Sequence, residues 1–217
     1  MPKRVDVEQR RTELAEACWR VIVEEGIAGT TSRAVAREAR VSSSVLFHYF
    51  HSMDELMLFA MELLENRFRD HLRELLSRSS DSVDRLRALG YSNLPLDQSR
   101  RIQFGVWLSL WAHSYSSDSV RTRYQVLYRG FREAVANVVD DARGDGLVRD
   151  EVDPELAALQ IVGLTDGLVV QLIMNPDEPA IARQSVSAVD KLVESWTAPA
   201  STRAPTNRRM SASEKED

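Results

Sequence analysis

Apolar residues recur at every third or fourth position along almost the whole chain, and the strict alternation expected of a half-buried strand is nearly absent. The pattern predicts an all-α protein. A first helix is expected from about Val7 to Glu25, with Gly26 as its C-terminal stop and Ile27 to Thr30 as a link. Thr31 is placed to cap a brief helix running through Ala39, whose inward residues are Val35, Ala36 and Ala39. Ser42 then caps a second short helix, with Val41 and Leu46 spaced as a hydrophobic staple. Ser52-Met53-Asp54-Glu55 has the form of a capping box, so a long helix starts after His51 and runs past Leu76. Further helices are expected near Ser82 to Tyr91, Gln98 to Tyr115, Ser119 to Arg143, Pro154 to Met174 and Pro179 to Trp196. Asp97 and Asp118 are candidate caps, Gly144 and Gly146 end one helix, and Asp153-Pro154 sets a cap before a first-turn proline.

This punctuation divides the chain into an N-terminal arm and three-helix head over residues 1–52, a helical body over 53–197, and a tail over 198–217. The tail is rich in Ala, Pro, Ser, Thr and charge without apolar period, which predicts disorder. At 217 residues, 43% hydrophobic and 28% charged, the chain is long enough for substantial cores. The most apolar stretch, Ala157 to Met174, is interrupted by Gln160, Asp166 and Gln171, so no membrane span or membrane partner is expected. The start, Met-Pro-Lys-Arg-Val-Asp, lacks the apolar segment of a secretory signal, and the cytoplasm is the expected location. A single cysteine, Cys18, falls on the apolar stripe Leu14, Ala17, Val21 and Ile22 and is expected in the core. The net charge of −5 argues against indiscriminate coating of nucleic acid and leaves a local reading surface open.

Two short helices between two long ones suit a helix-turn-helix, in which the second helix offers small or hydrogen-bonding residues to the major groove. Leu46 and Phe50, four apart, point inward, whereas Ser43, Ser44, Phe47 and His48 fall on the outer surface. Serine hydroxyls bond phosphate or base, and an exposed ring touches a thymine methyl or packs on sugar. His48 and His51 lie three apart, but no cysteine or carboxylate at useful spacing suggests a metal, and no cofactor is expected. Neither a glycine-rich phosphate loop nor a nucleophile with its base is evident, so no enzyme is expected.

The run Thr30-Thr31-Ser32-Arg33-Ala34-Val35-Ala36-Arg37-Glu38-Ala39, followed by Val41-Ser42 and Leu46-Phe47-His48-Tyr49-Phe50, closely resembles the DNA-binding domain of the TetR family of repressors. The resemblance spans roughly Val7 to Met57 and implies phosphate and base contacts from Thr31, Arg33, Phe47 and Tyr49, with Ser42, Ser43, Ser44 and His48 beside them. Three residues depart from that pattern. Arg40 stands where the turn usually has glycine, implying either a left-handed residue costing roughly 1 kcal/mol or a different turn. Phe47 replaces a tyrosine and Met53 a lysine, losses for which Arg40, His51, Lys3 and Arg4 could substitute. The implied partners are double-stranded operator DNA and a second copy of the chain, each subunit reading one half of a palindrome.

The segment Pro154 to Met174 is apolar nearly all round, which a surface helix of a monomer would not be. Gly163 and Gly167 permit close helix approach, and Ile181, Ser185, Ala188, Val189, Leu192 and Trp196 form a second stripe. Two such helices per subunit predict a four-helix homodimer interface through Ile161, Leu164, Leu168, Leu172, Ala188 and Leu192. Gly-Asp-Gly-Leu-Val-Arg-Asp-Glu-Val-Asp-Pro and Leu-Thr-Asp-Gly-Leu resemble the C-terminal domain of BetI-like TetR regulators, which implies an effector enclosed by the middle helices. Asp166, within that motif, reads as an interface residue bonding backbone or a helix end, with a ligand role as the alternative. Trp107 and Trp111 lie one turn apart, as do Tyr124 and Tyr128. With Gln103 and Tyr115 they predict a mostly apolar small-molecule site, suited to a flat hydrophobic aromatic compound or an organic cation, the alternative being a filled core with no cavity.

Overall fold

The apolar periodicity resolves into nine helices among residues 3–199, which the computed structural model describes. They are α1 (Lys3–Gly29), α2 (Ser32–Glu38), α3 (Ser43–Tyr49), α4 (Met53–Ser77), α5 (Ser82–Ser92), α6 (Gln98–His113), α7 (Asp118–Gly144), α8 (Pro154–Met174) and α9 (Pro179–Glu194). Side-chain caps set most of the starts. Thr31, Ser42, Ser52, Asp81, Asp97 and Asp153 each accept a backbone N–H from the first turn that follows, satisfying a donor no helical carbonyl reaches. Ser117, and not Asp118, stands at the cap position of α7; Asp118 is in the first turn, where its charge suits the helix dipole. The capping box at Ser52 is displaced by one residue, because Glu55 accepts from the His51 N–H at 2.8 Å.

Gly26 has φ 72° and ψ 175°, so the first helix breaks there, with one more helical turn to Gly29. Arg40 has φ 55°, the left-handed alternative of the two that its position allowed. After α9 the chain pairs Thr197 with Val148, and Ala198 donates to the Leu147 carbonyl at 2.9 Å. Helix α9 therefore stops short of Trp196, and Ala198 is buried against the body rather than part of a loose tail. The rest of the segment expected to be disordered, residues 200–217, lies outside the described residues.

Three apolar clusters form among the described residues, and the first runs across residue 52. The first gathers Leu14, Cys18, Val35, Leu46, Phe50 and Leu64 from α1–α4 and continues through Val106 and Leu110 of α6 into Tyr124 of α7. Full burial of Leu46 and Phe50 stabilises the seat of α3 by roughly 1.5–3 kcal/mol each. Helix α6 lies so close to α1 that a Cβ at Gly105 would stand 3.0 Å from a Val23 methyl. The second core joins α5, α7, α8 and α9 through Leu86, Leu89, Val135, Val139, Ile161 and Val193. Burial pushes the Cys18 thiol up to about 12, so it stays protonated as a core residue.

Helix α8 is long and apolar enough to cross a membrane, with a mean hydropathy of 1.8 over its best window. One side is spent inside the subunit: Ile161 and Leu172, expected at the dimer interface, are fully buried there and leave no surface for a partner. Leu164, Leu168, Ala188 and Leu192 are half-buried. The open stripe instead runs along Leu156, Leu159 (57% exposed), Gly163, Gly167, Val170 and Met174 (72% exposed), with open space above both glycines. That stripe supplies the apolar surplus that made the helix read as hydrophobic all round.

Candidate functional site

Two surfaces carry chemistry. The first is α3 and the approach to it. Ala34, Val35 and Ala36 anchor α2, and Leu46 anchors α3, leaving Ser44, Phe47 (44% exposed) and His48 outward, with Ser43 and Tyr49 half-buried. Val45 is also exposed on this face. The hydroxyls of Thr31 and Ser42 cap their helices at 3.2 and 3.3 Å, and Ser42 Oγ lies 2.9 Å from Ser44 Oγ. A hydroxyl that accepts at a cap still has its proton to donate to a phosphate. Arg33 and Arg40 are exposed and make no ion pair among the described residues, whereas Arg37 is paired with Glu25 at 2.6 Å. His51 is also engaged: its Nδ1 lies 2.9 Å from Glu55, so a carboxylate does accompany it. The side chains of Lys3 and Arg4 lie outside the described residues.

Arg11 of α1 holds the end of α3, a role that helical periodicity alone does not reveal. Its guanidinium donates to the Tyr49 carbonyl at 3.0 Å and to Glu55 at 3.2 Å, and lies over the Phe50 and Phe59 rings at 4.4 and 4.7 Å. The charge thus fixes the reading helix against α1 and α4 through planar stacking as well as hydrogen bonds. The lowered Glu55 pKa follows from the hydrogen bonds that it accepts from His51, the backbone one first.

The second surface is a cavity of about 510 Å³ between α4, α6, α7 and α8. Trp107, Trp111, Tyr124 and Tyr128 all line it. Trp107 meets Tyr124 edge-on at 5.4 Å between centroids, Tyr124 donates to the Trp107 carbonyl at 2.5 Å, and Tyr128 lies 6.0 Å from Tyr124. Of the other two residues expected there, Tyr115 is 81% exposed and touches only the edge of Trp111 at 6.2 Å, because α6 has already ended at His113. Gln103 faces a separate, smaller hollow near the start of α6.

Asp166 bonds a side chain, not backbone or a helix end. It lines the large cavity from α8 while remaining solvent-exposed, accepts from Tyr128 Oη at 3.2 Å, and has no ion pair among the described residues. Desolvation raises its pKa, opposed by the Tyr128 hydrogen bond. Burial in turn pushes both tyrosine hydroxyls well above their ordinary range, so they remain neutral donors. The other acid on the wall, Glu65, is neutralised by Arg123 at 2.6 Å. An acid in the middle of an apolar helix, well past Glu155 of the first turn, was the available sequence signal. Among the described residues no three His, Cys, Asp or Glu side chains are grouped to hold a metal.

Residues 14–59 match the family model of bacterial regulatory proteins of the tetR family, and residues 82–197 that of the BetI-type transcriptional repressor C-terminal domain. The chain is 29% identical over 177 residues to the HTH-type transcriptional regulator PksA of Bacillus subtilis, covering 81% of this chain and 84% of that one. It is 30% identical over 173 residues to the HTH-type regulator BetI of Burkholderia thailandensis, covering 77% and 84%. A transcriptional regulator from Rhodococcus sp. Rha1 superposes with a TM-score of 0.70 at 26% identity over 86% of this chain and 95% of that one. A regulator from Saccharomonospora viridis, solved in complex with choline, superposes at 0.78 with 22% identity over 88% of this chain and all of that one.

Proposed function

This chain belongs to the TetR family of transcriptional regulators, and on that premise we propose that it is a homodimeric repressor displaced from a palindromic operator by a small organic cation. The cation is argued from one observation: an unpaired carboxylate, Asp166, shares a cavity wall with the rings of Trp107, Trp111, Tyr124 and Tyr128. Aromatic faces are negative and attract a cation without hydrogen bonding to it, each contributing roughly 0.5–2 kcal/mol. The carboxylate supplies the countercharge that a purely aromatic cage lacks. Choline in the Saccharomonospora viridis regulator is a ligand of the same chemical class.

The reading end is Thr31, Arg33, Ser42, Ser43, Ser44, Phe47, His48 and Tyr49, acting on the DNA of the cytoplasm, with the open α8 stripe closing the dimer. Helix α6 links the two ends, since Trp107 lines the cavity while Gly105, two residues earlier, abuts Val23 of α1. A ligand that favours one setting of α6 thereby favours one spacing of the two α3 helices. The test is fluorescence anisotropy on a DNA fragment selected by the protein from genomic DNA, titrated with choline, other quaternary amines and neutral flat aromatics. Release by the cations supports the reading. Release by neutral aromatics alone overturns the cation, and failure to select any DNA overturns the repressor.

A further inference from the structure

A second hollow, of about 360 Å³, lies between α4 and the N-terminal half of α6 and shares Phe68, Phe104 and Trp107 with the larger cavity. Its remaining walls are mostly polar, and Arg100 and Arg67 bring positive charge to it. Arg67 is already neutralised by Glu16 of α1 and lies over Trp19. Arg100 is different. Its guanidinium donates to the Ser92 carbonyl and to His71 Nε2, the latter at 2.5 Å, and lies 5.6 Å from the Phe104 ring centroid, yet it makes no ion pair among the described residues.

Two acids line the same hollow, Asp97 and Asp70, and neither forms an ion pair with Arg100, although the Asp97 charge favours the guanidinium. Asp97 turns its carboxylate to the Arg100 backbone N–H at 2.9 Å as the cap of α6, and Asp70 pairs with Arg73 at 2.8 Å. Desolvation brings the Arg100 pKa down only to about 10, so the group stays charged near neutrality. Desolvation and the Arg100 charge lower the His71 pKa, which suits a neutral imidazole accepting through Nε2. A partly buried guanidinium held by neutral acceptors, with the Asp97 charge nearby but no direct ion pair, keeps free donors in a planar fork, the geometry that matches a carboxylate or phosphate.

We propose that Arg100, with His71 and Gln103 beside it, forms an oxyanion subsite that takes a carboxylate or phosphate group at the border of the two cavities. Phe68, Phe104 and Trp107 line both cavities, so an amphiphile with its anionic head at Arg100 would set its apolar body along those rings. This subsite does not depend on the cation reading, because a ligand anchored at Arg100 needs no positive charge.

Intrinsic tryptophan fluorescence reports on it, since Trp107 borders both cavities. Decanoate, decanol and inorganic phosphate are the probes, applied to the full-length protein. Decanoate is expected to bind about tenfold more tightly than decanol, the difference a charge-assisted hydrogen bond supplies. Arg100→Gln should remove that preference while decanol binding persists. Gln103→Glu, which places a competing carboxylate beside Arg100 on an accessible helix face, should reduce it without relying on the buried substitution. Saturable phosphate binding that competes with decanoate would assign the subsite to the free ion as well as to the head of an amphiphile. Equal affinity for decanoate and decanol without phosphate binding would overturn the proposal, as would a preference for decanoate that survives in both variants.

Discussion

Replacing Asp166 with Asn removes one charge from the large cavity and almost no volume. Tyr128 keeps an acceptor in the Asn carbonyl oxygen, so the 3.2 Å contact and the packing of α7 on α8 should persist. A cation about 4 Å from the carboxylate gains about 4 kcal/mol at an effective dielectric of 20, an upper bound from which desolvation must be subtracted. The net benefit of a hydrogen bond or contact to a charged group is about 1.5–3 kcal/mol, or roughly 10- to 150-fold in affinity. Choline and its neutral carbon isostere 3,3-dimethylbutan-1-ol separate charge from shape. Calorimetric titration should show wild-type protein preferring choline by roughly that factor, and Asp166→Asn binding the two nearly alike. The raised pKa of Asp166 adds a second signature: choline affinity should fall as pH drops through that carboxyl's titration, already above the ordinary carboxylate range, and should be flat in the Asn variant. An unchanged preference for choline in Asp166→Asn, or no preference in wild-type protein, refutes the assignment of the countercharge.

On the DNA side, Phe47→Ala should weaken operator binding by about 1–3 kcal/mol, and Ser44→Ala should alter sequence preference more than salt dependence; anisotropy titrations on selected and scrambled fragments check both. Arg33→Ala, at an exposed and unpaired guanidinium, should lower the slope of log affinity against log salt by about one if it meets a phosphate. Arg40→Gly relieves a left-handed residue and should raise stability by roughly 0.5–1 kcal/mol, read as a higher urea midpoint at unchanged slope. Leu159→Glu places a charge in the middle of the open α8 stripe and should leave a monomer in sedimentation at micromolar concentration; a stable dimer would place the interface elsewhere.

Local chemistry was legible from the chain because it is decided within one or two helical turns. Thr31, Ser42, Ser52, Asp97 and Asp153 announce their helices since a side-chain oxygen three residues before an amide is enough to cap it. The outward placement of Ser44, Phe47 and His48 follows from Leu46 and Phe50 facing inward on the same short helix. The pairing of Trp107 with Tyr124 was accessible only as two helical spacings, each compatible with a cavity or a filled core.

What needed the tertiary structure is the division of a helix among several neighbours. On α8 nearly every face is apolar, so periodicity could not tell that Ile161 and Leu172 serve the subunit's own core, that Leu159 and Met174 are left open, and that Asp166 lines a cavity. Gln103 and Tyr115 share the helix of Trp107 but not its surroundings, since one meets the smaller hollow and the other follows the helix end. Arg100 reads in the sequence as one more surface cation, and only the arrival of His71 and the Ser92 carbonyl shows a partly buried charge bonded to neutral acceptors. Side-chain spacing along one helix determines which residues share a face; what that face meets is set by elements tens of residues away, through burial and electrostatics that no local pattern encodes.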